Sequence, residues 1–217
     1  LRSVLVTIEN TDGIAPGEYP VELTVTAGDK SSTSCVNVKV VDAMLPPQTL
    51  IHTQWFHNDC LATYYDTDIF SERHWEIIGN YMKAARRCGI NMILTPVLTP
   101  PLDTAVGHER PTVQLVDITV HEGTSGESRY SFGYDKLDRY VQLALDAEME
   151  YFEISHLFSQ WGAIHAPKVM ATVHSGGVSE YRRIFGWETD ACGDEYRGFI
   201  REFTAGLIAH MRELGLD

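Results

Sequence analysis

The feature that most constrains the fold is a repeated order of strand and helix. After residue 47, short apolar runs alternate with longer stretches in which apolar residues recur every three or four positions. The predicted strands are residues 50–56, 91–94 and 151–155, and the predicted helices begin near Ser71, Asp135 and Asp194. Three strand–helix units in succession are typical of a parallel sheet covered by helices, so the sequence predicts an α/β fold.

The connections of these units are unequal in length. Each helix returns to the next strand through very few residues, whereas the strand-to-helix loops span about 57–70, 95–134 and 156–193. Within the second loop, Val113–Leu115 and Arg129–Phe132 are predicted to form a hairpin. Loops longer than about 12–15 residues are usually functional or disordered. All three follow the carboxyl ends of strands, where α/β folds place their active sites.

The first 46 residues show a different pattern. Residues 3–8, 21–26 and 36–40 are short apolar or alternating runs separated by turn residues, which indicates β-strands. Pro46-Pro47 then interrupts the pattern. We therefore expect residues 1–46 to be the terminal strands of a β-sandwich domain and residues 47–217 to be a second, α/β domain.

Composition and charge exclude several classes of function. The formal net charge of −13 disfavours nucleic acid as a partner. No apolar run reaches the roughly 20 residues of a membrane helix. Neither a Gly-x-Gly-x-x-Gly nor a Walker motif occurs, and the four cysteines form no Cys-x-x-Cys pair. The start of the chain has no charged-then-apolar leader, which favours a cytoplasmic location; oligomeric state is left open.

A dense group of polar and aromatic residues follows the first predicted strand. The candidates for sugar contacts are Trp55, His57, Asp59, Tyr64 and Tyr65. An aromatic face can stack on a sugar ring while His and Asp side chains bond its hydroxyls. Two other interpretations remain: a buried Trp with a structural His–Asp pair, or a metal-dependent hydrolase that uses His57, Asp59 and Cys60.

The third predicted strand ends in a second candidate group. Alternation places Glu153 and Ser155 on one face of that strand; we expect His156 at the rim of the pocket, and Trp161 follows close behind in the sequence. A buried Glu153 would have a raised pKa and would be a candidate acid or base; the alternative is a structural carboxylate held by a neighbouring Arg or His. The adjacent acids Asp194-Glu195 begin a predicted helix, where they complement the helix dipole.

Several blocks of the chain resemble one family of carbohydrate-active enzymes. They are residues 16–19, 40–46, 54–60, 70–75, 88–91 and 152–156. Together they resemble the glycoside-hydrolase-like domain of unknown function 4091 and the related glycoside hydrolase family 123. The block from Gln54 to Cys60 is the most specific of them.

The resemblance implies a β-sandwich followed by a TIM-type (β/α)₈ barrel, of which this chain would hold the first three β/α units. It also implies removal of terminal β-linked N-acetylgalactosamine by a substrate-assisted, retaining mechanism that needs no metal or cofactor. The family's catalytic Asp-Glu pair follows barrel strand four, so we expect it beyond Asp217 and expect residues 1–217 alone to be inactive. The alternative is a non-catalytic carbohydrate-binding or scaffold protein on the same fold.

Overall fold

The structure is a computed structural model that describes residues 3, 5–9, 13–122 and 128–216. It divides the chain into two compact units, residues 1–49 and residues 50–217. Each unit has its own secondary structure, and all the candidate site residues belong to the second.

The first unit contains an antiparallel hairpin. Strands β1 (Gly17–Ala27) and β2 (Lys30–Val40) pair along their whole length, from Gly17 opposite Val40 to Ala27 opposite Lys30. Gly28 adopts a φ of +63° in the turn, a conformation that glycine adopts without strain. The described residues of the predicted strand at 3–8 lie in no strand, so two of the three predicted strands are confirmed. The β-sandwich stays a prediction.

The second unit mixes helices and strands. In chain order its elements are α1 (Asn58–Tyr64), α2 (Glu72–Arg87), β3 (Met92–Thr95), β4 (Asp117–Glu122), β5 (Ser128–Gly133), α3 (Asp135–Asp146), β6 (Tyr151–Ile154), β7 (Val169–Ser175), β8 (Val178–Phe185) and α4 (Asp194–Glu213).

Three parallel segments lie side by side in the order of the sequence. Strands β3 and β6 pair in parallel, with Leu94 opposite Glu153. The predicted first strand, 50–56, is reduced to a single parallel bridge between Thr53 and Met92. The carboxyl ends of all three segments therefore meet at one edge, as the sequence predicts.

The helices begin and end near the predicted residues. The Ser71 side chain caps α2 by accepting a hydrogen bond from the backbone N–H of His74 at 3.3 Å. Gly89, with a φ of +80°, follows the end of α2. The helix predicted to begin near Asp135 has Tyr134 as its N-cap, and Asp135 lies in the first turn, where its charge complements the helix dipole.

The two longer strand-to-helix loops each contribute a hairpin to one four-stranded sheet, ordered β5-β4-β7-β8. The predicted hairpin is correct in its second strand but wrong in its first. Residues 113–115 are buried but do not belong to a strand of the sheet. The Gln114 side chain forms hydrogen bonds with the backbone of Val116 and Met170. Strands β7 and β8 in the third loop and helix α1 in the first loop were not predicted from the sequence.

The apolar face of this sheet packs on α4. Tyr130 and Phe132 meet Phe199 and Phe203 edge to face, and Phe185 contacts Phe199 at a ring-centroid distance of 5.1 Å. Across residues 50–122 and 128–216 these elements form an α/β unit with no closed barrel, so the TIM-type architecture stays a prediction. Within the described ranges, no helix is long and apolar enough to cross a membrane.

The buried His74 gives a testable pH dependence. Its Nδ1 accepts from the Phe70 N–H and its Nε2 bonds the Asn58 carbonyl, which fits a neutral ring. Burial lowers the pKa of His74 below its ordinary value of 6.5, against the opposing effects of that carbonyl and Asp59. The unfolded chain then binds a proton that the folded protein does not, so the free energy of unfolding falls as the pH drops below about 6.5.

Urea unfolding at pH 7.5, 6.5 and 5.5 measures this effect. His74→Gln, which cannot titrate, should show a shallower loss of stability toward acid than the wild type. His156→Gln, at an exposed histidine, is the control and should keep the wild-type slope. Parallel curves for the wild type and His74→Gln would contradict the assignment.

Candidate functional site

The candidate site lies where the three parallel segments end. Trp55 follows Thr53 by two residues, and His156 follows β6 by two residues. The rings of Trp55 and His156 meet edge to face at 5.4 Å. Trp55 is 43% exposed, so part of its indole is open to solvent at this edge.

Glu153 is held in place from the neighbouring segments. Its Oε2 accepts one hydrogen bond from Trp55 Nε1 at 2.7 Å and another from Thr53 Oγ1 at 3.0 Å. Within the described part of the chain, no donor is bonded to Oε1. The Glu153 carboxylate is therefore fixed by hydrogen bonds, as in the alternative of a structural carboxylate. Its donors, however, are a Trp and a Thr and not the expected Arg or His.

A second carboxylate, that of Asp103, contacts the loops that follow the first and third parallel segments. His57 Nε2 bonds Asp103 Oδ2 at 2.7 Å, and the Asp103 backbone N–H donates to Gln160 Oε1 at 3.1 Å. Asp103 belongs to the loop after β3 and Gln160 to the loop after β6. The sequence reading missed both residues, because nothing in their local spacing marks them.

Asp59 and Cys60 are bound to an arginine. Arg110 contacts the Asp59 carboxylate at 3.0 Å and the Cys60 Sγ at 2.9 Å, and it also donates to the Leu102 carbonyl. His57 has a different partner, so the geometry gives no support to a metal site that combines His57, Asp59 and Cys60. The ion pair instead ties α1 to the loop after β3.

The remaining predicted residues stand apart from this group. Tyr64 and Tyr65 meet edge to face at 5.0 Å, and the Tyr65 hydroxyl lies 3.3 Å from that of Tyr81 on α2. Trp161 is 45% exposed on the loop after β6. The structure thus joins Trp55, Glu153 and His156 in one cluster and His57 with Asp103 in a second contact.

This arrangement can bind a polyhydroxylated ligand. An open indole face, an exposed imidazole and two carboxylates are the kinds of side chain that contact sugar rings and their hydroxyls. Among the described residues, no group of three or more His, Cys, Asp or Glu side chains is placed to hold a metal ion. The fold is an α/β unit whose polar and aromatic side chains lie at the edge where such folds bind their ligands.

The comparison with known families agrees with this class. The family model described as glycoside hydrolase 123, catalytic domain, matches residues 55–217, which is more than half of the chain. The protein therefore belongs to glycoside hydrolase family 123, and a carbohydrate is the substrate that this membership implies. No curated protein matched the chain.

The buried ion pair between Arg110 and Asp59 should be important for stability. Their side chains are 8% and 6% exposed, so removing Arg110 leaves an uncompensated buried carboxylate. Arg110→Met is expected to lower the free energy of unfolding by about 3–5 kcal/mol in urea denaturation. Arg197→Met is the matched control, because the exposed Arg197 side chain contacts the exposed Asp194 carboxylate and the Cys192 carbonyl, and it should leave stability nearly unchanged. Equal effects of the two substitutions would refute the role assigned to Arg110.

Proposed function

We propose that this chain supplies the sugar-binding part of the active site of a glycosidase that acts on β-linked N-acetylhexosamine, in particular N-acetylgalactosamine. The observation that carries the proposal is the contact of Glu153 with Trp55 and Thr53 at the carboxyl ends of the parallel segments. Family membership supports the reaction class, and the contact supports the position of the sugar.

The Glu153 contact prepares two groups for a sugar. The 2.7 Å hydrogen bond fixes the indole N–H of Trp55, so its exposed face is held in one orientation. The same bond occupies Glu153 Oε2 and leaves Oε1 to accept a hydrogen bond from a hydroxyl. A preorganised site of this kind avoids part of the entropy loss that ordering its side chains on binding would otherwise cost.

The chemistry proposed for the active site is substrate-assisted and retaining. The acetamido oxygen of the sugar attacks the anomeric carbon, an Asp orients the acetamido group, and a neighbouring Glu protonates the leaving oxygen. The one adjacent Asp-Glu pair in the sequence is Asp194-Glu195. It lies in the first turn of α4 with Asp194 fully exposed, where it complements the helix dipole, so we propose a different pair, outside residues 1–217, for catalysis.

Glu153 fits the role of hydroxyl acceptor better than that of proton donor. Its Oε2 already accepts two hydrogen bonds, at 2.7 and 3.0 Å, and this geometry favours a carboxylate fixed for recognition. Because the adjacent pair Asp194-Glu195 lies outside the cluster of Trp55, Glu153 and His156, the described site also fits a second candidate function, a carbohydrate-binding or scaffold protein without hydrolysis. Both functions use the same sugar contacts and differ only in whether a bond is cleaved.

Binding of methyl N-acetyl-β-D-galactosaminide tests the sugar contact. Trp55→Ala removes the stacking face and should weaken binding about tenfold in isothermal titration calorimetry. Tyr181→Ala is the control, because Tyr181 is a 61% exposed aromatic residue on β8, outside the cluster. The assignment fails if both variants bind the glycoside as the wild type does.

Hydrolysis of chromogenic glycosides tests the mechanism. The proposed longer protein, which would carry the catalytic pair after Asp217, should cleave β-N-acetylgalactosaminide or β-N-acetylglucosaminide but not plain β-galactoside, because the latter lacks the acetamido nucleophile. Residues 1–217 alone should cleave none of them. Cleavage of the plain galactoside would exclude substrate assistance, and no cleavage by the folded longer protein would favour the binding function.

A further inference from the structure

Asp103 is a carboxylate at which three loops of the second unit meet. His57, after the first parallel segment, bonds its Oδ2 at 2.7 Å. Gln160, after β6, accepts from its backbone N–H at 3.1 Å and donates to the neighbouring Thr104 carbonyl at 3.4 Å. Since Asp103 itself follows β3, the loops after all three parallel segments hold this one residue.

The contacts hold Asp103 in an open, defined position. Its side chain is 71% exposed, although two of its groups are bonded. Its φ of +55° lies in the left-handed region, which Asp tolerates better than most residues. Among the described residues, Oδ1 has no hydrogen-bond partner, so the carboxylate presents one free acceptor oxygen to solvent.

His57, which bonds Asp103, has a buried polar atom without a hydrogen-bond partner among the described residues. The His57 side chain is 10% exposed, and its Nδ1 is buried without a hydrogen-bond partner among the described residues. A buried polar atom without a partner is unfavourable, and such groups are concentrated where function requires them. Because Nδ1 is buried and Nε2 is bonded to Asp103, His57 has no free nitrogen with which to contact a ligand directly.

We propose that Asp103 contacts the sugar, with Oδ1 accepting a hydrogen bond from a ring hydroxyl, and that His57 is a positioning residue that acts through Asp103. The inference rests on the proposed function and assigns a specificity-determining residue to the same site. It changes the role of His57 from direct contact to support. The group assigned to Asp103 is a ring hydroxyl and not the acetamido N–H, which is the sugar's other hydrogen-bond donor to a carboxylate, and the monodeoxy analogues distinguish the two.

Calorimetric binding of deoxygenated sugars tests the contact. The ligands are methyl N-acetyl-β-D-galactosaminide and its 3-, 4- and 6-monodeoxy analogues, with methyl β-D-galactoside for comparison. Asp103→Ala should bind the parent sugar about 10- to 100-fold more weakly than the wild type. Asp103→Asn, which keeps the shape but turns a donor outward, should lose a similar factor. It serves as the second variant if Asp103→Ala unfolds.

The decisive result is non-additivity. One monodeoxy analogue should bind weakly to the wild type and no more weakly to Asp103→Ala, because the substitution and the missing hydroxyl remove the same hydrogen bond. Glu109→Gln is the matched control on the same loop, since Glu109 pairs with Arg183, and it should retain wild-type affinity. If Asp103→Ala weakens the binding of the parent sugar and of every monodeoxy analogue by the same factor, Asp103 has a structural role and the proposal is overturned.

The His57 part has its own test. His57→Gln keeps an N–H near the position of Nε2 and should retain most of the affinity for the parent sugar. His57→Ala should bind the parent sugar more weakly, and the non-additivity between Asp103→Ala and the monodeoxy analogue should disappear in it. Equal binding by both His57 variants would overturn the positioning role. The wild type could bind methyl β-D-galactoside as tightly as the N-acetylated sugar while the non-additivity at Asp103 persists. In that case the inference stands and the proposed N-acetyl specificity fails. Binding of no galactoside would overturn both.

Discussion

Asn91 joins the three parallel segments from which Trp55 and Glu153 extend. Its side-chain oxygen accepts the His52 N–H at 2.8 Å, and its side-chain amide donates to the Leu50 carbonyl at 3.2 Å. Its backbone carbonyl accepts the N–H groups of residues 150 and 151 at 2.9 and 3.0 Å. The residue is 1% exposed, and loss of its side chain would remove the hydrogen bond that the His52 N–H makes.

The register that Asn91 sets decides where the acidic side chain goes. In a strand, a shift of one residue turns every side chain to the opposite face. Leu94 pairs with Glu153 and Met92 bridges Thr53, and in this register the Glu153 carboxylate reaches both Thr53 and Trp55. A contact between residues about 100 positions apart thus depends on hydrogen bonds at the opposite end of the same short strands.

The sequence predicts those parts of the fold that have a local signal. Helix periodicity, the Ser71 cap and the alternation that places Glu153 and Ser155 together all lie within a few residues of each other. Thr53 could have been found by the same alternation, since it precedes Trp55 by two residues. Strands β7 and β8 also had a sequence signal, the Gly176-Gly177 pair, which forms their two-residue turn with φ values of +57° and +83°. Asp103 had none, because its importance comes from His57 and Gln160, which are distant in sequence.

The two carboxylates follow one physical pattern. Glu153 and Asp103 each have one oxygen bonded to the protein and one without a described partner. In a substrate-assisted reaction the nucleophile belongs to the sugar, so the protein contributes most by holding the ring in the orientation that lets the acetamido oxygen attack. Carboxylates fixed before binding serve that purpose, because the entropy of ordering them is lost during folding and not when the sugar arrives. Recognition and proton transfer can then be assigned to different stretches of the chain, with recognition concentrated on the loops that follow the first three parallel segments.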